Sequence, residues 1–192
     1  MPDPIAPTND GSQSPPRLRI DLNLDTLTNL PHWSAAPRGD EATIAAGIIA
    51  AGYEGVQASD AARFRQYGLA ASTLARVNSP EELDPLTQRW AKEGYDCGTL
   101  HLAWGFENDD EIDALVRAVI KASGRYEIPL YIETHRATIT QDPWRTLQLV
   151  ERNPDVRFNG DFSHWYTGLE MVYGDIERKL DLLQPVFDRV RY

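Results

Sequence analysis

Residues 130–136 read Leu130-Tyr131-Ile132-Glu133-Thr134-His135-Arg136. The aromatic and β-branched opening predicts a strand, and side chains alternate along a strand. Glu133 and His135 therefore share one face, and Ile132 and Thr134 the other. One strand–helix unit later comes Arg157-Phe158-Asn159-Gly160-Asp161-Phe162-Ser163-His164-Trp165. Here Asn159 and Asp161 share a face, and His164 follows where the strand turns into its loop. The two acids are 28 positions apart, a spacing that places them at similar height on adjacent parallel strands. Such strands lie about 4.8 Å apart, and two carboxylates that close repel each other unless a cation lies between them. A divalent metal held by carboxylate and imidazole ligands is the economical explanation. Taken singly, either acid reads first as a helix cap or a solvated loop charge, and a lone histidine as a hydrogen-bonded structural residue. The pairing of E-x-H with D-x-x-H on successive strand ends is what raises the metal or catalytic reading.

The same alternation extends in both directions. Strands are expected at 18–24, 54–58, 69–77, 98–104, 130–134 and 156–162, with helical segments between them. Asp40 can cap a helix that lines up Ile44, Ile48 and Ala51. Ser79-Pro80-Glu81-Glu82 reads as a capping box with proline at the first helical position. Residues 109–123 put Ile112, Leu115, Val116, Val119 and Ile120 on one apolar face. Asp142-Pro143 starts a helix through Leu147 and Val150 that Asn153-Pro154 ends. Asp175 opens another, with Ile176, Leu180, Leu183 and Phe187 on its inner side, and Val190-Arg191-Tyr192 reads as a further strand beginning. Residues 1–16 hold five prolines and almost no large apolar side chain, the composition of a mobile tail ahead of one domain over 17–192.

Repeated strand–helix alternation implies a parallel sheet with helices outside it. An open doubly wound sheet and a (β/α)8 barrel both satisfy it. Neither G-x-G-x-x-G nor G-x-x-x-x-G-K-[ST] occurs, which removes the best reason for the open sheet. In both architectures ligands sit at the carboxyl ends of the strands.

Composition narrows the function classes. The chain has 192 residues, 42% hydrophobic and 25% charged, with a net charge of −10. That charge disfavours nucleic acid and anionic membrane as partners. No run approaches ~20 apolar residues, so no membrane span is expected, and the first residues lack a signal-peptide pattern. Cys97 is the single cysteine; it excludes an internal disulfide and fits a reducing, cytoplasmic setting. With no basic neighbour in Tyr95-Asp96-Cys97-Gly98, it reads as inert. Trp33, Trp104 and Trp165 lie near strand ends and could pack against the apolar side of a ligand, although core packing is the commoner use of tryptophan. His101 alternates with Thr99 and Ala103 and reads first as a satisfied core histidine. Arg136 reads as a solvated charge or a phosphate contact.

The order Y-I-E-T-H-R, then N-G-D-F-S-H-W, preceded by Ala51-Gly52-Tyr53-Glu54-Gly55-Val56-Gln57, resembles the xylose isomerase-like TIM-barrel superfamily of sugar-phosphate isomerases and epimerases. The resemblance covers roughly residues 17–192. It implies an α/β (β/α)8 TIM barrel that is C-terminally incomplete in this chain, with about six βα units and the start of strand seven. It implies that Glu133 binds a metal and transfers a proton, that Asp161 is the metal ligand of the next strand, and that His164 contacts substrate oxygens. His135 would be a substrate contact or stand behind Glu133. The superfamily's other two ligands, a histidine after strand seven and a glutamate after strand eight, have no counterpart here. The implied cofactor is one divalent ion (Mn, Mg, Zn or Co). The implied reaction is isomerisation or epimerisation of a sugar, sugar phosphate or related polyol or keto-sugar through an enediolate. A small sugar-like substrate is thus the expected partner, and a homo-oligomer is left open. Two rivals stand beside it. One is a metal phosphodiesterase of the abasic-site endonuclease type, which four histidines and a charge of −10 disfavour. The other is a non-catalytic binding domain that keeps the fold and part of the site.

Overall fold

Among the described residues six strands pair strictly in sequence order, and every pairing is parallel. They are β1 (Asp21–Asn23), β2 (Gly55–Gln57), β3 (Ala70–Val77), β4 (Cys97–Leu102), β5 (Leu130–Glu133) and β6 (Phe158–Asn159). The computed structural model describes residues 19–192. The tail expected at 1–16 lies outside the described residues, as do the start of the 17–192 domain and Leu18 of the first expected strand. A sheet whose neighbours are always consecutive is singly wound, the winding of a TIM barrel; a doubly wound sheet reverses its order midway. The open-sheet alternative is therefore excluded. A seventh strand begins at the expected place. Val190 bridges Phe158 in parallel, and Arg191 N–H donates to Phe158 O at 2.9 Å while Gly160 N–H donates to Tyr192 O at 3.0 Å.

The alternation of side chains divides the sheet into two environments. On the outer face Val56, Ala71, Leu100, Leu102, Ile132 and Phe158 join the main core with residues of the surrounding helices, Ile48, Trp90, Ile112, Val116, Leu149 and Val186 among them. The inner face carries Thr99, His101, Glu133 and Asn159, with a small apolar group of Cys97 and Tyr131 against Tyr192. The hydrophobic core thus lies between sheet and helices. That leaves the barrel interior to polar groups, which a site can use.

The helices are α1 (Glu41–Ala50), α2 (Leu83–Glu93), α3 (Asp109–Tyr126), α4 (Pro143–Arg152), α5 (Ser163–Gly168) and α6 (Ile176–Phe187). Asp40, Asp142 and Asp175 cap α1, α4 and α6 through the backbone N–H groups of Thr43, Arg145 and Arg178. The capping box occurs at α3, where Asn108 and Glu111 exchange hydrogen bonds. Ser79 does not form the one expected of it. Pro80–Glu82 make a separate 3-10 turn and the Glu82 carboxylate accepts instead from Asn78 N–H at 3.2 Å, so α2 starts at Leu83. Ile176 and Leu180 are 38% and 45% exposed, not on the inner side of α6; Leu183 and Val186 fill that role. Strand β6 is shorter than 156–162: the chain turns after Asn159, and Asp161 Oδ1 accepts from Ser163 N–H at 3.1 Å. Among the described residues no helix is long and apolar enough to cross a membrane.

Candidate metal centre at the carboxyl ends of the strands

Three consecutive strands deliver their last inward-facing residues to one spot. His101 comes from β4, Glu133 from the end of β5 and His135 from just beyond it, Asp161 from the turn after β6 and His164 from the first turn of α5. One ligand atom each from His101, Glu133 and His135 lie within 4.8 Å of one another, as do those of Glu133, Asp161 and His164. The two groups share Glu133, whose side chain is 10% exposed. The imidazoles follow in a row, with ring centroids 4.1 Å apart for His101 and His135 and 4.0 Å for His135 and His164.

Local hydrogen bonds fix this arrangement. Thr140 Oγ1 donates to Glu133 O at 2.6 Å and accepts from His135 N–H at 3.2 Å, while Thr138 Oγ1 donates to His135 O at 2.5 Å. The end of β5 is thereby held extended until the chain turns. Asn159 Nδ2 donates to Thr99 Oγ1 at 3.2 Å and to Glu133 Oε2 at 3.4 Å, spanning β4, β5 and β6. His135 Nδ1 bonds the carbonyl of Arg136, which can only accept. In the neutral ring Nδ1 therefore carries the proton and Nε2 the lone pair. Burial pushes the His135 imidazole below its usual range; the Arg136 carbonyl opposes this, while His101 and His164 add to it. A neutral, lone-pair-bearing ring is the form that binds a metal or accepts a proton.

The remaining valences fit a cation. Glu133 Oε1 lies 3.2 Å from His101 Nε2, yet that nitrogen is buried and makes no hydrogen bond. The pair is close enough to interact and wrongly aimed to bond, as expected when both atoms face a third partner. A buried polar atom without one is costly. Asp161 divides its carboxylate: Oδ1 accepts from Ser163 N–H, and Oδ2 lies 3.4 Å from His164 Nε2. A turn-forming role and a ligand role for Asp161 are therefore compatible. Each group mixes carboxylate and imidazole donors, a set suited to Mn, Zn, Co or Fe, and the two carboxylates of the second also suit Mg.

His101 belongs to this cluster, so the reading of it as a satisfied core histidine is corrected. The signal was available, since an inward residue on β4 must stand beside its counterpart on β5. The tryptophans behave differently from one another. Trp165 is 1% exposed, packs 5.5 Å from Phe162 and donates its indole N–H to Thr140 O at 2.9 Å. It is a core residue with no surface for a ligand, which corrects its expected place in a pocket. Trp104 is 53% exposed and Trp33 77% exposed. The first stands beneath the guanidinium of Arg76, 4.4 Å from its ring centroid. Arg136 is exposed.

Winding and site position together define a class, an α/β protein of TIM-barrel type with its polar cluster at the carboxyl ends of the strands. No protein-family model matches the chain, and no curated protein matches it. Among solved structures it resembles the probable 3-DHS dehydratase AsbF, involved in petrobactin synthesis, from Bacillus anthracis. The TM-score is 0.65 at 14% identity, over 91% of this chain and 72% of that one. The likeness agrees with the barrel fold expected from the xylose isomerase-like resemblance.

Proposed function

We propose that this chain carries a divalent-metal site that transfers a proton at the carbon beside a carbonyl of a small polyhydroxylated substrate. The carrying observation is two groups of ligand atoms that share Glu133, one with His101 and His135 and one with Asp161 and His164, the first containing a buried imidazole nitrogen with no hydrogen-bond partner. Glu133 would hold the ion together with Asp161, or on its other side with His101. When bound there, the ion supplies positive charge that polarises a carbonyl and acidifies the neighbouring C–H.

The chain's own groups do the rest. Glu133 accepts the proton, and Asn159 keeps its Oε2 oriented for that task. His135, with its lone pair on Nε2, is a second acceptor on the same side. His164, 12% exposed, donates to the substrate oxygen on which negative charge builds. The burial of Glu133 and His101 keeps bulk water from competing for the same proton. Trp33 and Trp104 offer apolar faces at the rim for the C–H side of a sugar-like ring.

Returning the proton to a neighbouring carbon isomerises the substrate, and returning it from the opposite face epimerises it. Expelling a hydroxyl from the next carbon dehydrates it, and the name of the Bacillus anthracis neighbour favours that outcome as the second reading. All three share the first proton transfer, so solvent exchange is the decisive assay. Ketoses, their phosphates and 3-DHS are incubated with the protein and Mn2+, Mg2+ or Co2+ in D2O and followed by NMR. Metal-dependent deuterium uptake beside the carbonyl, abolished by Glu133→Gln, is the expected result. The absence of uptake from every compound, together with no bound metal, would leave the non-catalytic binding domain as the better account.

A further inference from the structure

Two alanines adopt the left-handed backbone conformation that side chains avoid, Ala103 at φ 52° and Ala137 at φ 54°. Each stands two residues after a histidine of the cluster, Ala103 after His101 and Ala137 after His135. Positive φ at a non-glycine residue persists only where the surroundings hold it. The holding group is the same in both cases. Nη1 of Arg76 donates to Ala103 O and, at 3.0 Å, to Ala137 O.

Arg76 is well placed for this and has no other evident task. It pairs in register with His101 across the β3–β4 ladder. Its guanidinium carbon lies over the ring of Trp104, the residue next to Ala103, 4.4 Å from the centroid. Among the described residues it has no carboxylate partner, so its charge does not serve an ion pair. Ala103 is 1% exposed, and water cannot readily replace the guanidinium at its carbonyl. We infer that Arg76 is a positioning residue that fixes the turns after β4 and β5 relative to each other, and through them the spacing of the His101 and His135 rings. The inference rests on the reading of those two histidines as site residues, but it concerns their geometry before any metal binds.

The test uses the full chain without metal. Ring centroids 4.1 Å apart give a strong NOE between the imidazole protons of His101 and His135. In Arg76→Met, which keeps the stem over Trp104 and removes the donors, that NOE loses most of its intensity while exposed His32 is unmoved. In Arg76→Lys, whose ammonium can serve both carbonyls, it is retained. Co2+ binding, followed by its visible absorption, weakens about tenfold in Arg76→Met, the scale of effect for groups that orient ligands, and recovers in Arg76→Lys. A folded Arg76→Met with an undiminished NOE overturns the inference, whatever the metal does. Failure of the parent chain to bind Co2+ overturns the metal site instead and leaves the NOE comparison decisive here. If Arg76→Met does not fold, Arg76→Gln, with a planar amide donor for one carbonyl only, is read by the same NOE; partial loss supports the clamp and full intensity overturns it.

Discussion

His101 Nε2 and Glu133 Oε1 lie 3.2 Å apart on neighbouring strands, yet that nitrogen makes no hydrogen bond. Each presents a ligand atom to the same space. His101→Ala should therefore weaken Mn2+ or Co2+ binding by more than about tenfold, measured by titration calorimetry. Unchanged affinity would remove His101 from the ligand set and return it to the core.

Asn159 touches both Thr99 Oγ1 and Glu133 Oε2, so it orients the carboxylate without belonging to the donor set. Asn159→Ala is expected to reduce metal affinity by about 10–100-fold with little loss of thermal stability. A large drop in melting temperature with normal metal affinity would mark Asn159 as a packing residue only.

The tryptophans should separate cleanly in denaturant unfolding. Trp165→Ala removes a fully buried ring and should cost about 3–5 kcal/mol. Trp33→Ala, at an exposed rim position, should stay within about 0.5 kcal/mol and raise KM if the rim contacts substrate. Equal losses in the two variants would contradict their assignment to core and rim.

Tyr192 sets an alkaline limit. Its phenol is held well above the usual range, chiefly by burial and next by the charge of Asp21. A folded-state pKa raised above that of the unfolded chain leaves stability intact below about pH 10 and erodes it as pH rises further, because the unfolded chain ionises first. Tyr192→Phe should flatten this alkaline loss relative to the parent, although other raised tyrosines such as Tyr95 keep part of it. Stability curves against pH that superimpose would show that Tyr192 does not report the unfolding equilibrium.

Gly55 faces the base of the barrel, where an added Cβ would come within 2.6 Å of the Asp21 carboxylate. That carboxylate is paired with Arg19 at 2.6 Å, with both side chains under a tenth exposed. Gly55→Ala should displace the pair and destabilise the fold by about 1–3 kcal/mol, the range for overpacking, seen as a lower urea midpoint. A neutral result would mean that Asp21 has room to move.

Sequence alone went far where periodicity carries the information. Six alternating units imply a parallel sheet, and the meeting of Glu133 with Asp161 and His164 follows from the spacing of one strand–helix unit, although Asp161 stands in the turn after β6 and His164 in the first turn of α5. It failed where geometry depends on residues distant in the chain. His101 looked ordinary because its neighbours Leu100 and Leu102 are core, and its meaning emerges only from β4 standing beside β5. Trp165 follows a histidine of the site, yet the short α5 rotates it into the core toward Phe162. Ser79-Pro80-Glu81-Glu82 satisfies the letters of a capping box, but a 3-10 turn intervenes before α2. Arg76 gave no signal at all, since its partners are backbone carbonyls that no sequence pattern marks.

The consecutive pairing of the strands has a consequence for how the chain assembles. Each ladder joins strands separated by a single connecting segment, so the sheet can grow by accretion, each unit docking on its predecessor as stacked repeats do. The Tyr192 phenol breaks that locality. It donates to Asp21 Oδ2 at 3.1 Å across 171 positions and lies 2.9 Å from Ser72 Oγ. Such a contact forms only once every intervening unit is in place. A register slip in any one unit would part the Tyr192 phenol from Asp21, so this one contact senses the alignment of all the strands between them.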